Sequence, residues 1–163
     1  MPIALLLALA SQVGPRPPQT SSGQPPVSAA PAYPPAVKKH LYATNDVRGK
    51  PAPKFVWGDP VAAPIPDLAG KVVLIDFWAT WCGPCRRALP DLDRYAKKFA
   101  KDLVVVGVSA EPKDDLLAFL KKTKVRYPVT SEPTKAMATE LGIGGIPHVL
   151  VISPDGVVRW QGF

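Results

Sequence analysis

The stretch Lys71–Arg87, KVVLIDFWATWCGPCRR, decides the fold of this chain. Its first half is a nearly continuous apolar and β-branched run, which is typical of a strand covered on both faces of a sheet. Two cysteines follow this run, and a helical pattern begins at the second of them. The stretch therefore predicts a buried strand that passes directly into a helix, with Cys82 and Cys85 at the junction.

Apolar residues recur at helical spacing after the junction, and charged residues fill the opposite face of the predicted helix. The apolar positions are Cys85, Ala88, Leu89, Leu92, Ala96 and Phe99. Pro90 lies inside this helix and is expected to kink it. The run Leu103–Ser109 predicts a second buried strand, so residues 71–109 form one βαβ unit whose two strands run parallel.

Further elements are predicted downstream of the βαβ unit. Pro112 opens a helix whose acidic first turn and basic last turn complement the helix dipole. A short extended piece at Arg126–Thr130 precedes a helix over about Pro133–Leu141. The strands His148–Ser153 and Val157–Gly162 are joined by a hairpin turn. This order predicts an α/β fold with a central mixed sheet flanked by helices.

The position of the cysteine pair has direct chemical consequences. Cys82 occupies the N-terminus of the predicted helix, where unpaired backbone N–H groups and the positive end of the helix dipole stabilise a thiolate. We expect its pKa to fall below the ordinary value of about 8.5, which makes Cys82 the nucleophile near neutral pH. Cys85 lies one turn later on the apolar face, where we expect a buried thiol. Gly83 and Pro84 let the turn tighten until the two sulfur atoms come within disulfide range.

Two other interpretations of the cysteine pair are half of a zinc site and a static disulfide. A metal site needs two further ligands, and the sequence offers only His40 and His148, the first of them in a Pro-rich region. A lone CxxC sequence is weak evidence, but its place between this strand and this helix favours a redox-active pair. We therefore expect neither a metal nor a cofactor.

The motif WATWCGPCRR (Trp78–Arg87), taken with Gly144–Pro147, resembles the thioredoxin superfamily. Four further stretches resemble its TlpA/ResA-like extracytoplasmic branch. They are Gly49–Phe55, Asp67–Lys71, Tyr127–Val129 and Ile152–Gly156. The resemblance covers residues 49–163 and implies a thiol–disulfide oxidoreductase with a thioredoxin-like fold. Most such proteins work in the reducing direction, and many serve cytochrome c maturation or the repair of cysteines in the cell envelope.

The resemblance also implies where substrate binds. Pro147, after Ile146, matches the family's cis-proline, whose loop faces the cysteines and pairs with the substrate backbone. The alternative is an ordinary trans-proline at the start of a strand. Trp81 adjoins Cys82 and is expected on the rim against which substrate lies. Trp78 is expected in the core.

Asp76 interrupts the predicted buried strand. Burial of a carboxylate is costly and raises its pKa, and such perturbed groups cluster at functional sites. We interpret Asp76 as the general base for Cys85, and the alternative is a strand carboxylate satisfied by backbone donors. The branch usually carries Asn at this position, and a Glu where this chain has Ala88. Thioredoxins pair the buried Asp with a lysine on the next strand, but Leu103–Ala110 contains no lysine.

The predicted reaction is the reduction of a protein disulfide, in which Cys82 attacks and Cys85 resolves the mixed disulfide. An electron donor then reduces the cysteine pair again. The sequence does not identify this donor, and a membrane thiol-reducing protein is one candidate. One alternative is a thiol oxidase or isomerase that uses the same site. Another is a redox-inert interaction or metal-carrying module on the same scaffold. Glu111 and the Lys121–Lys124 cluster are expected to be solvated helix ends.

The N-terminal part of the chain has a different composition, since 14 of the 21 prolines lie in residues 1–66. Residues 1–10 end in the triplet Ala8-Leu9-Ala10 and predict a signal peptide for export to the periplasm or cell envelope. The apolar run is far below the roughly 20 residues that cross a bilayer. Residues 11–48 predict a disordered Pro-rich spacer, at most a membrane-proximal tether, and residues 49–163 predict the folded domain.

Two further expectations follow from the charge and from the last predicted strand. The net charge is +7, but no run of basic residues exceeds two, so nucleic-acid binding is not expected. The family's sheet is normally closed by a C-terminal helix beside the active-site helix, and that helix is apparently missing here. We therefore expect a fragment, a substitute such as Phe55–Trp57 folded across the sheet, or self-association through exposed apolar surface.

Overall fold

One mixed sheet lies at the centre of the computed structural model, which describes residues 33–36 and 41–163. The described strands are β1 (Asp59–Pro60), β2 (Val72–Phe77), β3 (Leu103–Ser109), β4 (Val129–Ser131), β5 (His148–Ile152) and β6 (Val158–Gly162). Their order across the sheet is β1-β4-β3-β2-β5-β6. The predicted signal peptide and most of the predicted spacer lie outside the described residues.

The described helices flank this sheet, and they are α1 (Gly83–Lys98), α2 (Lys113–Leu120) and α3 (Ala136–Glu140). β2 pairs with β3 in parallel and with β5 in antiparallel register, so β2 is a central strand. The connection from β2 through α1 to β3 is the predicted βαβ unit. The predicted α/β class with a mixed central sheet is confirmed.

Successive residues of β2 point to opposite faces of the sheet, and each face carries its own core cluster. Val73, Ile75 and Phe77 pack on the face that is covered by α3 and by side chains of residues 47–68. Leu74 and Trp78 pack on the other face, with the cysteines and apolar side chains of α1 and α2. Strand alternation places Asp76 on this second face. The active-site helix and the strand carboxylate are therefore on the same side of the sheet.

Several boundaries differ from the prediction. α3 begins at Ala136 rather than near Pro133, because Lys135 adopts a left-handed backbone with φ of 56° just before it. β4 begins at Val129 rather than Arg126, since the N–H of Arg126 donates to Asp93 on α1 instead of joining a strand ladder. The two-residue strand β1 was not predicted. α2 ends at Leu120, so Lys121 and Lys122, which were predicted to form its basic last turn, follow the helix instead.

Residues 41–52 pack along the edge of β6 and against the segment that precedes β5. The N–H of Gly49 donates to the carbonyl of Val158 at 2.7 Å, and the N–H of Val158 donates to the carbonyl of Lys50 at 3.0 Å. Ala43 and Ile143 form an isolated antiparallel bridge. Gly49 and Lys50, at the start of the predicted domain, thus satisfy open backbone groups of the edge strand β6, while residues of the predicted spacer bond to the segment that precedes β5.

Phe55 and Trp57 pack against the core cluster on the α3 face of the sheet. This cluster contains Val158 of β6, so these two residues fold onto the sheet face that Val158 occupies, and α1 lies on the opposite face. Among the described residues, no helix has the length and apolar character required to cross a bilayer.

Candidate active site

The turn between β2 and α1 carries the cysteine pair. Cys82 is the N-cap of α1 with an extended backbone (φ −77°, ψ 102°), and its Sγ accepts the N–H of Cys85 at 3.2 Å. Pro84 lies in the first turn of α1, where its missing N–H costs no intrahelical hydrogen bond. The sequence Cys-Gly-Pro-Cys therefore places both sulfur atoms at the start of the helix.

Cys82 and Cys85 form a disulfide with their Cα atoms 5.3 Å apart, which is within the ordinary range for such a bond. Cys85 is 0% exposed, which confirms its predicted burial. Cys82 is 4% exposed, so the predicted nucleophile is largely covered in this disulfide form. The geometry is that of a redox pair in which one sulfur lies nearer the surface than the other.

Two arginines follow the cysteine pair near the start of α1, whose first turn contains no acidic residue. Arg86 and Arg87 are exposed, and the Arg86 guanidinium lies 5.7 Å from the centre of the Phe119 ring. The Arg87 guanidinium reaches back to Gly83, with one nitrogen 3.8 Å from where a Cβ on that residue would be. These charges add to the helix dipole in stabilising a thiolate at Cys82.

Asp76 is 1% exposed and is the buried carboxylate that the sequence predicted. Burial raises its pKa from 3.8 to about 7, because desolvation disfavours the charged form. Its Oδ2 atom has no hydrogen-bond partner among the described residues, so backbone donors do not satisfy that oxygen. A carboxyl group with a pKa near neutrality can exchange a proton under physiological conditions, as a general base requires.

Asp76 lies opposite Gly107 in the parallel register of β2 and β3. A Cβ on Gly107 would lie 3.0 Å from Trp78 Nε1 and 3.4 Å from a ring carbon of Tyr127. The glycine thus leaves room for two aromatic rings beside the carboxylate. Trp78 is buried, and its predicted place in the core is confirmed.

Tyr127 is a site residue for which the sequence suggested no chemical role. Its hydroxyl is buried without a hydrogen-bond partner among the described residues. Burial raises the pKa of Tyr127, and the charge of Asp76 raises it further. The ion pair between Arg126 and Asp93 of α1 fixes the chain just before Tyr127. In the sequence, only the family resemblance of Tyr127–Val129 pointed to this region, and it indicated the segment rather than a role for the hydroxyl.

The expectation that Glu111 is a solvated helix end is wrong. Its carboxylate accepts the backbone N–H of Thr80 at 2.7 Å and the Thr80 hydroxyl at 2.6 Å. The hydroxyl of Ser109 donates to the same carboxylate at 3.1 Å. Glu111 lies two residues after the carboxyl end of the parallel strand β3, a place where functional side chains collect in α/β sheets. That position was the signal that could have identified it.

A cavity of about 630 Å³ separates the turn before Cys82 from the loop before Pro147. Trp81 lines this cavity and is 73% exposed. Ile146 lines the same cavity and packs against the cluster that contains both cysteines. The Ile146–Pro147 peptide bond is cis. The structure thus brings Trp81 and Ile146 to one cavity, and Cys82 directly follows Trp81 in the chain.

His148 does not belong to this group. It is buried and packs edge-on against Phe77, on the sheet face opposite the cysteines. Burial lowers its pKa, so the neutral imidazole is favoured. His40, the other histidine considered as a metal ligand, lies outside the described residues. The described part of the chain contains no group of three or more His, Cys, Asp or Glu side chains that could hold a metal ion.

Comparison with known proteins agrees with this geometry. The AhpC/TSA family matches residues 49–161. The thiol-disulfide oxidoreductase ResA of Bacillus thuringiensis is 32% identical over 117 residues, which cover 69% of this chain and 68% of that protein. The structure of a candidate thiol:disulfide interchange protein DsbE from Chlorobium tepidum superposes with a TM-score of 0.56 at 30% identity. The superposition covers 67% of this chain and 86% of that one.

A second solved structure, of a candidate protein disulfide isomerase from Bacteroides thetaiotaomicron, gives a TM-score of 0.64 at 29% identity. It covers 76% of this chain and 82% of that one. The folded part of the chain is thus similar to thiol–disulfide oxidoreductases in sequence and in fold.

Proposed function

We propose that this chain, which belongs to the AhpC/TSA family and is a thiol–disulfide oxidoreductase, reduces disulfides of proteins outside the cytoplasm. The observation that carries the proposal is the pairing of two features on one sheet face. Cys82 lies at the positive N-terminus of α1, and Asp76 lies buried on the adjacent strand with its pKa near neutrality. The first feature activates a nucleophile, and the second can accept a proton.

In the first step, the Cys82 thiolate attacks one sulfur of the substrate disulfide. A bond forms between Cys82 and that sulfur, and the other substrate sulfur leaves as a thiolate that takes a proton from solvent. The N–H of Cys85 and the two nearby arginines stabilise the negative charge on Cys82 before the attack.

In the second step, Asp76 takes the proton of Cys85 through a water, and the Cys85 thiolate attacks the Cys82 sulfur. The bond between Cys82 and Cys85 forms, and the substrate leaves as its second thiolate. The substrate gains two electrons, and the enzyme ends in the disulfide form that the structure contains. A dithiol donor must then reduce that bond to complete the cycle.

Substrate is proposed to bind across the opening between Trp81 and Ile146, with its backbone along the loop at Pro147. Trp81 offers an exposed apolar ring on one side, and Ile146 offers a half-buried side chain on the other. The cavity between them gives room for a side chain next to the substrate cysteine.

The reducing direction is supported by Gly83 and Pro84 between the cysteines, which resemble reducing members of the superfamily. A cellular role in cytochrome c maturation or envelope thiol repair is consistent with this direction. The Ala8-Leu9-Ala10 triplet supports export and cleavage before Ser11. N-terminal sequencing of the protein from its native host tests this point, and a Met1 terminus in a cytoplasmic fraction would contradict export.

A second candidate is the opposite flux, in which the disulfide oxidises substrate thiols. Arg86 and Arg87 favour it, since charges that stabilise the Cys82 thiolate stabilise the reduced enzyme and raise its potential. A measured reduction potential separates the two directions. A value near −270 mV, as for thioredoxin, supports reduction, and a value near −120 mV, as for DsbA, supports oxidation.

The proposed function is tested by trapping substrates. Cys85→Ser should accumulate mixed disulfides through Cys82, because the resolving thiol is absent, while Cys82→Ser should accumulate none. Insulin reduction by the wild-type chain measures the activity itself, and a metal assay on the same sample tests the metal-carrying alternative. Trapping through the Cys82→Ser variant in preference to Cys85→Ser would reverse the assigned roles.

A further inference from the structure

We infer that Glu111 is a positioning residue of the cysteine site, which fixes Thr80 and thereby holds Trp81 and Cys82 in place against β3. This inference rests on the proposed function, because a positioning role requires that the cysteines react with substrate. The contacts of Glu111 are the same whether the site reduces or oxidises its substrate. Glu111 lines the same cavity as Trp81, and we infer that it acts through the chain segment that carries the sulfur atoms.

Both oxygens of the Glu111 carboxylate are used in this contact. Oε2 accepts the Thr80 backbone N–H at 2.7 Å, and Oε1 accepts the Thr80 hydroxyl at 2.6 Å. Hydrogen bonds to an ionised acceptor are stronger than neutral ones, and two of them fix the direction as well as the distance. Thr80 is therefore held at its main chain and its side chain by a residue 31 positions later.

Glu111 is held in turn by the ends of two strands. Ser109 at the end of β3 donates its hydroxyl to Glu111 Oε2 at 3.1 Å and accepts the Glu111 N–H at 3.2 Å. Ser131 at the end of β4 donates its hydroxyl to the Glu111 carbonyl at 2.7 Å. The carboxylate is thus connected to the rigid sheet rather than to a mobile loop.

The segment that Glu111 holds leads directly into the active site. Thr80 is followed by Trp81 and Cys82, and the N–H of Cys82 donates to the carbonyl of Ala79 at 3.1 Å. A shift of Thr80 would move this turn, and with it the N-cap that places the Cys82 sulfur against the N–H of Cys85. Attack on a disulfide requires the attacking sulfur to be correctly positioned, so a small displacement of the Cys82 sulfur lowers the rate of attack.

Four variants separate positioning from a purely structural role. Thr80→Val keeps the shape of the side chain but removes the hydroxyl donor, whereas Thr80→Ser retains the hydroxyl. Glu111→Met keeps about the length of the side chain but has neither acceptor oxygen, whereas a glutamine amide could still donate to the Thr80 hydroxyl. Asp114→Asn removes an exposed carboxylate on α2 and serves as the matched control.

The measurements are the rate constant for attack of Cys82 on an oxidised protein substrate and, separately, the rate of its alkylation by iodoacetamide, both with the reduced full chain. Thr80→Val should lower both rates by roughly threefold to tenfold, the factor expected for one hydrogen bond, and Glu111→Met, which removes both acceptors, should lower them by at least as much. Thr80→Ser and Asp114→Asn should remain within twofold of wild type.

The double variant provides the decisive comparison. In the Thr80→Val background, the hydroxyl contact is already absent, so Glu111→Met removes only the acceptor of the N–H at position 80. Glu111→Met should therefore cost less in that background than in the wild type. Multiplicative effects, or rates within twofold of wild type for Thr80→Val, would overturn the inference even if stability fell.

The alkylation rate also keeps the two proposals distinguishable. If the wild-type chain fails to reduce any protein disulfide while the variants still change alkylation as expected, the proposed function fails and the positioning role of Glu111 stands. If the wild-type chain reduces a protein disulfide but the variants leave both rates unchanged, the proposed function stands and the positioning role of Glu111 fails.

Discussion

Asp76 on β2 lies directly opposite Gly107 on β3, and the missing side chain at Gly107 is what allows Trp78 and Tyr127 to pack beside the carboxylate. Glycine is unfavourable in a strand interior because it loses more entropy on folding and packs no side chain. Here the rings of Trp78 and Tyr127 occupy the space beside Gly107, on the face that also holds the cysteines. The surroundings of Asp76 are consequently aromatic.

The contact at Gly107 predicts that Gly107→Ala is destabilising. The added Cβ would lie 3.0 Å from Trp78 Nε1, which is closer than ordinary packing allows, so the buried indole must shift. We expect a loss of about 1–3 kcal/mol in the free energy of unfolding, measured by urea denaturation. The matched control is Gly145→Ala, because a Cβ there meets no atom within 4 Å. Equal stability of the two variants would contradict the packing described around Asp76.

Burial of Asp76 predicts a pH dependence of stability. Its pKa is about 7 in the folded chain against 3.8 as the ordinary value, so between these values the folded state keeps a proton that the unfolded state has released. The contribution of this group to the free energy of unfolding therefore falls as the pH rises through that range. Asp76→Asn cannot titrate and should gain stability relative to wild type, by a few kcal/mol at about pH 8.

Urea unfolding of wild type and Asp76→Asn, each in its disulfide form, is measured at about pH 4 and about pH 8. The quantity compared is the difference in free energy of unfolding between the two proteins at each pH. Asp114→Asn, an exposed substitution, should show no such difference. A stability gap between Asp76→Asn and wild type that stays constant with pH would mean that the Asp76 pKa is not raised.

The buried hydroxyl of Tyr127 predicts an unusual result for Tyr127→Phe. Because the hydroxyl has no described partner, its removal should leave the free energy of unfolding unchanged or raise it by up to about 1 kcal/mol. Thermal or urea unfolding measures this, with Tyr127→Leu as the control that also removes ring packing and should destabilise. A loss of about 1–3 kcal/mol for the phenylalanine variant would show that the hydroxyl has a bonded partner.

The exposure of Trp81 predicts a separation of stability from activity. Trp81→Ala should change the free energy of unfolding by less than about 0.5 kcal/mol, because the side chain is 73% exposed. The rate of mixed-disulfide formation with a protein substrate should fall severalfold, while the rate with a small disulfide changes less. Tyr95→Ala, at an exposed position of α1 outside the cavity, should leave both rates unchanged. An equal loss with both substrates would exclude a role of Trp81 in binding.

Local pattern was sufficient to predict the βαβ unit and the place of the cysteines within it. A continuous apolar run rich in β-branched residues is typical of a covered strand, and helical spacing begins at Cys85, so the junction and its helix N-terminus follow from neighbouring residues alone. The burial of Asp76 follows from the same run. These features depend on contacts and backbone groups close in the chain, which the sequence displays directly.

Only the tertiary structure decided the contacts that surround this junction. Thr80 meets Glu111 across 31 residues, and Gln161 bonds to Asn45 and Val47 across more than 110. Polar residues such as Glu111 look like ordinary surface residues in a sequence, since their pattern carries no period and their partners belong to other elements. Their roles depend on which strand ends the sheet brings together, and that is settled by packing over the whole chain rather than by local propensity.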